Sequence, residues 1–157
     1  MGRKLDRREF AAMVPALMAM AAAGSAEAQS PLQASPAPAR PLPSLSSGTF
    51  QPGQPHNPEA ERVSRPYTAG MLKAGNIRLE MHETTQKVGA VHEPIGTHLH
   101  NEVWCMREGV CELNINGIAH RMEAGDTGLV TAGDKHFIKN IGDVPCTYFV
   151  ITIGPPE

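Results

Sequence analysis

Aromatic residues are scarce, at 4% of the 157-residue chain. A core must therefore be built mainly from Val, Ile, Leu and Met, and it will be small. Cysteine is scarce too. Cys105, Cys111 and Cys146 form no C-x-x-C pair, and an odd number cannot all pair within one chain. Buried apolar thiols are the simpler expectation; one disulfide in an oxidising compartment is the alternative. No excess of positive charge exists: the formal net charge is −2, which gives no basic surface for nucleic acid. No apolar run is long enough to cross a bilayer. Beyond Ala28 no stretch of ten or more residues carries a helical period.

What is present begins with an address. Residues 1–28 open with Arg3, Lys4, Arg7 and Arg8, continue with an apolar stretch from Phe10 to Ala23, and end in Ala26-Glu27-Ala28. That is the charged, apolar, small-residue layout of a removable secretory signal. Pro15 interrupts the apolar part, so no membrane anchor is expected after cleavage. Arg7-Arg8-Glu9-Phe10 resembles the twin-arginine motif in part, with Asp6 where Ser or Thr is usual. The expected location is periplasmic or secreted, with the general secretory route as the other option.

Residues 29–66 are rich in Pro, Ser, Ala and Gln. Nine of the fourteen prolines lie there, and no apolar periodicity accompanies them. The composition predicts a disordered or polyproline-type tether, with docking on the domain or a helical turn as the alternatives for its end, Asn57 to Arg65. From Tyr67 the texture changes to short apolar alternations separated by turn residues, which predicts strands and hairpins over 67–157. Ile77, Leu79 and Met81 alternate with Arg78, Glu80 and His82; with the apolar set facing the interior, His82 is out of phase and is expected on the surface. Asn116-Gly117 is a hairpin signal, and Glu108-Gly109, the Glu123–Asp126 stretch and Gly142-Asp143 mark further turns. The fold class expected is a single all-β sandwich or barrel.

Histidine supplies the chemistry. Four of the seven histidines, His92, His98, His100 and His136, fall within 45 residues. If Gly96–Glu102 is a strand, His98, His100 and Glu102 share one face with Trp104. Two imidazoles and a carboxylate are costly to bury unless paired, protonated or bound to metal, and they suit a first-row divalent ion. A closed site needs a ligand from elsewhere, and His136 is the candidate.

Two stretches resemble the motifs of the cupin superfamily. Gly125, Gly133, His136 and Asn140 fall at the spacings of its second motif, with Thr131 in place of the proline. Glu102, Gly109 and His98 fit the end of its first motif, whose first histidine falls on Gly96. The resemblance implies a jelly-roll β-barrel, a homodimer, and one divalent metal (Fe, Mn, Zn, Ni or Co) held by His98, Glu102 and His136. Two placements of His100 stay open: it takes the missing histidine's role, or it lies near the site while water fills the gap. A site that binds no metal is the third option. Gly109, Gly125 and Gly133 would serve turns, and Asn140 would tie the turn after it. His92, Trp104 and Met106 are candidate pocket residues. Oxygen-dependent cleavage, isomerisation or decarboxylation of a small organic molecule is the activity such sites imply. The alternative is a non-catalytic barrel that binds or senses a sugar or organic acid.

Overall fold

The computed structural model describes residues 41–156. The expected signal, residues 1–28 with Arg7 and Arg8, and the first part of the expected tether lie outside the described residues. Within them the chain is all strand and turn. Eight strands follow in order: β1 Arg62–Met71, β2 Arg78–Gln86, β3 Asn101–Glu108, β4 Val110–Ile115, β5 Ile118–Glu123, β6 Thr127–Val130, β7 His136–Asn140 and β8 Cys146–Gly154. They form a five-stranded sheet, β1-β2-β8-β3-β6, and a three-stranded sheet, β5-β4-β7. Every strand pairing is antiparallel.

Alternation along each strand decides what faces inward. Trp104, Met106, Val130, Tyr148 and Val150 from the large sheet meet Leu113, Met122 and Ile138 from the small one in a single buried cluster. On β2 the inward set is polar: Thr84 and Gln86 are buried and His82 follows the same phase, while Leu79 and Met81 face out. This reverses the expectation that the apolar alternation of β2 faces the interior. The outer face needs those apolar residues as well, because Leu79 lines a groove there with Leu45, Phe50 and Leu72.

The tether expected over 29–66 overlaps β1, which begins at Arg62. Before that, backbone bonds run from Leu45 N to Met71 O, from Gly53 N to Pro66 O and from His56 N to Ser64 O. The proline-rich segment from Pro41 thus follows β1, the edge strand of the large sheet. A proline-rich cover satisfies part of that edge and offers few donors of its own, which blocks pairing with another chain.

Two turns show why glycine was needed. Asn116 and Gly117 both adopt positive φ, at 52° and 84°, as a two-residue type I′ hairpin demands. Gly109 has φ 75°, and a Cβ there would sit 2.7 Å from the carbonyl oxygen of Pro145. Gly125 and Gly133 also take positive φ at their turns.

The sheets are joined twice near the end of β7. Cys111 on β4 and Cys146 on β8 are fully buried and form a disulfide, with Cα atoms 6.7 Å apart. Beside them Gln86 Oε1 accepts from the backbone N–H of Asn140 at 2.9 Å, and Asn140 Nδ2 donates to the Gln86 carbonyl at 3.1 Å. Asn140 also ties the next turn: its Nδ2 donates to the Val144 carbonyl at 2.8 Å, and its Oδ1 accepts from Gly142 N at 2.8 Å. Cys105 is the free cysteine among the described residues.

Candidate metal centre

The strand expected over Gly96–Glu102 begins later, at Asn101. Gly96 pairs with His136 of the small sheet through two backbone bonds, Gly96 N to His136 O and His136 N to Gly96 O. Asn101 pairs with Ile153 of the large sheet. Between them the chain crosses from one sheet to the other and bends at Leu99 and His100. Strict alternation therefore holds from Glu102 onward, where Glu102, Trp104 and Met106 are all buried, and not across His98 and His100.

The crossing brings three candidate ligands together. His98 comes from just before the bend, Glu102 from β3 and His136 from the start of β7; one ligand atom from each lies within 4.8 Å of the others. His136 Nε2 is 3.0 Å from Glu102 Oε2. His100 Nε2 is 3.3 Å from the other oxygen, Oε1. The rings of His98 and His100 stack at 4.5 Å with 9° between their planes. His100 thus sits against the same carboxylate, on its far oxygen.

Electrostatics bind the group further. Burial would raise the Glu102 pKa, but the His136 and His100 imidazoles at its two oxygens outweigh burial and hold it below the ordinary carboxylate value. Glu102 in turn raises His136 above the ordinary imidazole value, against the effect of burial. His136 Nδ1 faces the carbonyl oxygen of Asp134 at 3.1 Å. A carbonyl can only accept, so Nδ1 carries the proton and Nε2 is left to face Glu102.

This arrangement fits a cation. With His136 neutral and its proton on Nδ1, the buried Glu102 Oε2, 3.0 Å from His136 Nε2, receives no hydrogen bond from that ring, and a buried unsatisfied oxygen costs about 1–3 kcal/mol. A divalent ion between His98, Glu102 and His136 would satisfy it. Its ligand set, two imidazoles and one carboxylate, is of the kind that holds Fe, Mn, Zn, Ni or Co. Gly96 bears directly on the geometry: a Cβ built there would lie 3.0 Å from His98 Nε2 and 3.5 Å from the His136 ring. The absent side chain leaves space at the cluster itself.

The cluster opens into a cavity of about 240 Å³, lined also by Arg62, His82, Glu93 and Trp104. Of the expected pocket residues, Trp104 is there. Met106 packs in the core instead. His92 is exposed and stacks on Phe137 at 4.1 Å, whereas its neighbours Glu93 and Pro94 reach the cavity. Sequence reasoning missed Arg62, His82 and Glu93. Arg62 lies within the expected tether, and an inward apolar face on β2 would put His82 at the surface. Thr84 and Gln86, in phase with His82, were the available signal.

With this geometry in hand, comparison places the fold. Residues 75–152 match the family model described as "Cupin domain". The domain is a cupin-like jelly roll. Solved structures agree at low identity. KdgF from Halomonas sp. is 13% identical with a TM-score of 0.56, over 71% of this chain and 96% of that one. An RmlC-like cupin from Shewanella frigidimarina is 16% identical with a TM-score of 0.53, over 67% and 86%. A predicted oxalate decarboxylase from Thermotoga maritima is 16% identical with a TM-score of 0.51, over 66% and 92%. Comparison with curated proteins finds no match. The cupin motifs read from the sequence correspond to this match, and Gly96 remains this chain's departure from them.

His82 gives a stability prediction. Burial lowers its pKa below the ordinary 6.5, even though Glu80 and Glu102 pull it up. The unfolded chain therefore takes up the proton first, and stability is lost as pH falls from about 6.5 through the folded value. His82→Gln should flatten that part of the curve. Thermal melts of metal-free protein between about pH 7 and pH 5 should show a smaller decline in the variant than in the wild type. An equal decline would place the acid sensitivity elsewhere.

Proposed function

We propose that this chain is an exported cupin-domain protein that holds one divalent metal through His98, Glu102 and His136 and binds or transforms a small organic molecule beside it. One observation carries the reading: three candidate ligands, two imidazoles and a carboxylate, converge within 4.8 Å at a small cavity, with the space at Gly96 left clear. When bound, the metal would supply a Lewis acid with open positions. The chain's own residues divide the remaining work. Asp134 fixes the His136 tautomer, Glu102 keeps its negative charge, and Trp104 closes the interior side. Oxygenase- or isomerase-like chemistry is the activity proposed. The alternative is ligand binding or sensing, supported by the small cavity.

Export is supported by the signal-like residues 1–28 and by the buried Cys111–Cys146 disulfide, a bond that persists in oxidising compartments. A homodimer is supported by an outward row across four adjacent strands, Leu129, Val103, Ile151 and Met81, of which Leu129 is 57% exposed.

Gly96→His tests the reading. Position 96 does not have positive φ, so a side chain fits the backbone, and the new Cβ asks only a small shift of the His98 ring. Equilibrium dialysis against Zn²⁺ should show one equivalent in both proteins, held at least as tightly in the variant. Weaker binding in the variant would mean that the space at Gly96 is not beside the metal.

A further inference from the structure

Two residues that line the cavity carry buried N–H groups that make no hydrogen bond. Trp104 is 3% exposed, and its indole Nε1–H makes no hydrogen bond. Arg62 Nη1 is buried and likewise makes none. It lies 2.8 Å from Glu93 Oε2, an ion-pair distance without hydrogen-bond alignment. Buried donors in this state are uncommon and each is costly. Both belong to residues that line the same cavity as His98, Glu102 and His136.

Resting on the metal reading above, we propose that the cavity binds a small carboxylate. Its carboxylate accepts from Arg62 and from the Trp104 indole N–H, and an adjacent hydroxyl or oxo oxygen faces the His98–Glu102–His136 cluster. Three considerations select this class. With a metal ion satisfying Glu102 Oε2, the unmet groups left on the lining residues are donors, so the ligand must bring acceptors. Arg62 is a planar cation suited to carboxylate. Finally, a divalent ion and Arg62 set against Glu93 and Glu102 leave one positive charge, which a monoanion cancels. The volume of about 240 Å³ is below the roughly 300–1,000 Å³ of pockets for drug-sized ligands, so the ligand has few heavy atoms. Glu93 competes with it: the ion pair with Arg62 must loosen for the carboxylate to take its place.

The test uses the full chain loaded with Zn²⁺, with bound zinc measured in every sample. Trp104 is the only tryptophan, so its fluorescence reports the cavity alone. Glycolate is the probe and ethylene glycol the neutral control. Glycolate should give a saturable change, and ethylene glycol none. Arg62→Gln should weaken glycolate binding roughly 10- to 100-fold, as loss of a charge-assisted hydrogen bond does. Trp104→Phe, followed by calorimetry, should weaken it by up to about tenfold. Glu93→Gln should tighten it, a sign that a merely structural role for the ion pair would not produce. Zinc retained with no glycolate response, or an equal response in Arg62→Gln, overturns the carboxylate proposal and leaves the metal centre standing. No zinc in the wild type overturns the metal centre and this proposal with it.

Discussion

Removing the Cys111–Cys146 bridge is expected to lower the thermal midpoint by roughly 10–20 °C. The bond closes a loop with a sequence separation of 35. On the chain-entropy account such a cross-link contributes about 4 kcal/mol, and for a domain of this size each kcal/mol moves the midpoint by several degrees. The position of the bond adds a reason. It ties β4 of the small sheet to β8 of the large one, beside the Gln86–Asn140 hydrogen bonds that join the same two sheets. Without it, those amides and the apolar cluster must hold the sheets alone. Both sulfurs are on fully buried residues, so a reductant acts slowly on the folded protein. The measurement is therefore a comparison of the oxidised wild type with a Cys111→Ala/Cys146→Ala double variant. A shift of only a degree or two would mean that the sheets are held almost wholly by the packed interior.

The second large effect is on metal affinity. His136→Ala is expected to weaken divalent-metal binding more than about 100-fold, beyond the 10- to 100-fold loss usual when only a group behind a ligand is removed. His136 is the one of the three candidate ligands supplied by the small sheet. Its Nε2 completes the cluster, while its backbone pairing with Gly96, which alanine retains, keeps the segment that carries His98 in place, so the loss reads the side chain alone. Competition with a chromophoric chelator gives the affinity of each protein. His100→Ala is the informative comparison. The His100 ring contacts Glu102 Oε1 at 3.3 Å, so its removal should cost within that 10- to 100-fold range. A loss equal to that of His136→Ala would make His100 a ligand in its own right.

The sequence made some of this legible and hid the rest for physical reasons. Asn116-Gly117 announced its hairpin because type I′ geometry permits few residues. Glu102, His136 and Asn140 were readable because their spacing to turn glycines is fixed by the strands between them. His98 and His100 were assigned to one strand face by alternation, and that reasoning failed where the chain leaves one sheet for the other. A crossing between sheets has no local sequence signal. Arg62 was hidden by the prolines around it, which read as tether although the same segment follows the edge of the large sheet. The polar interior of β2, with His82, Thr84 and Gln86, was hidden because a barrel with a built site turns polar residues inward. The pairing of Cys111 with Cys146 depends on which strands face each other, a property of the tertiary fold alone.

The most direct test of the account is the metal content of the full chain, purified without chelator or histidine tag and measured by mass spectrometry alongside His136→Ala. The account predicts close to one equivalent of Fe, Mn, Zn, Ni or Co in the wild type and a small fraction of that in the variant. A folded, β-rich wild type that takes up none of these ions, either as purified or after dialysis against each, would contradict it.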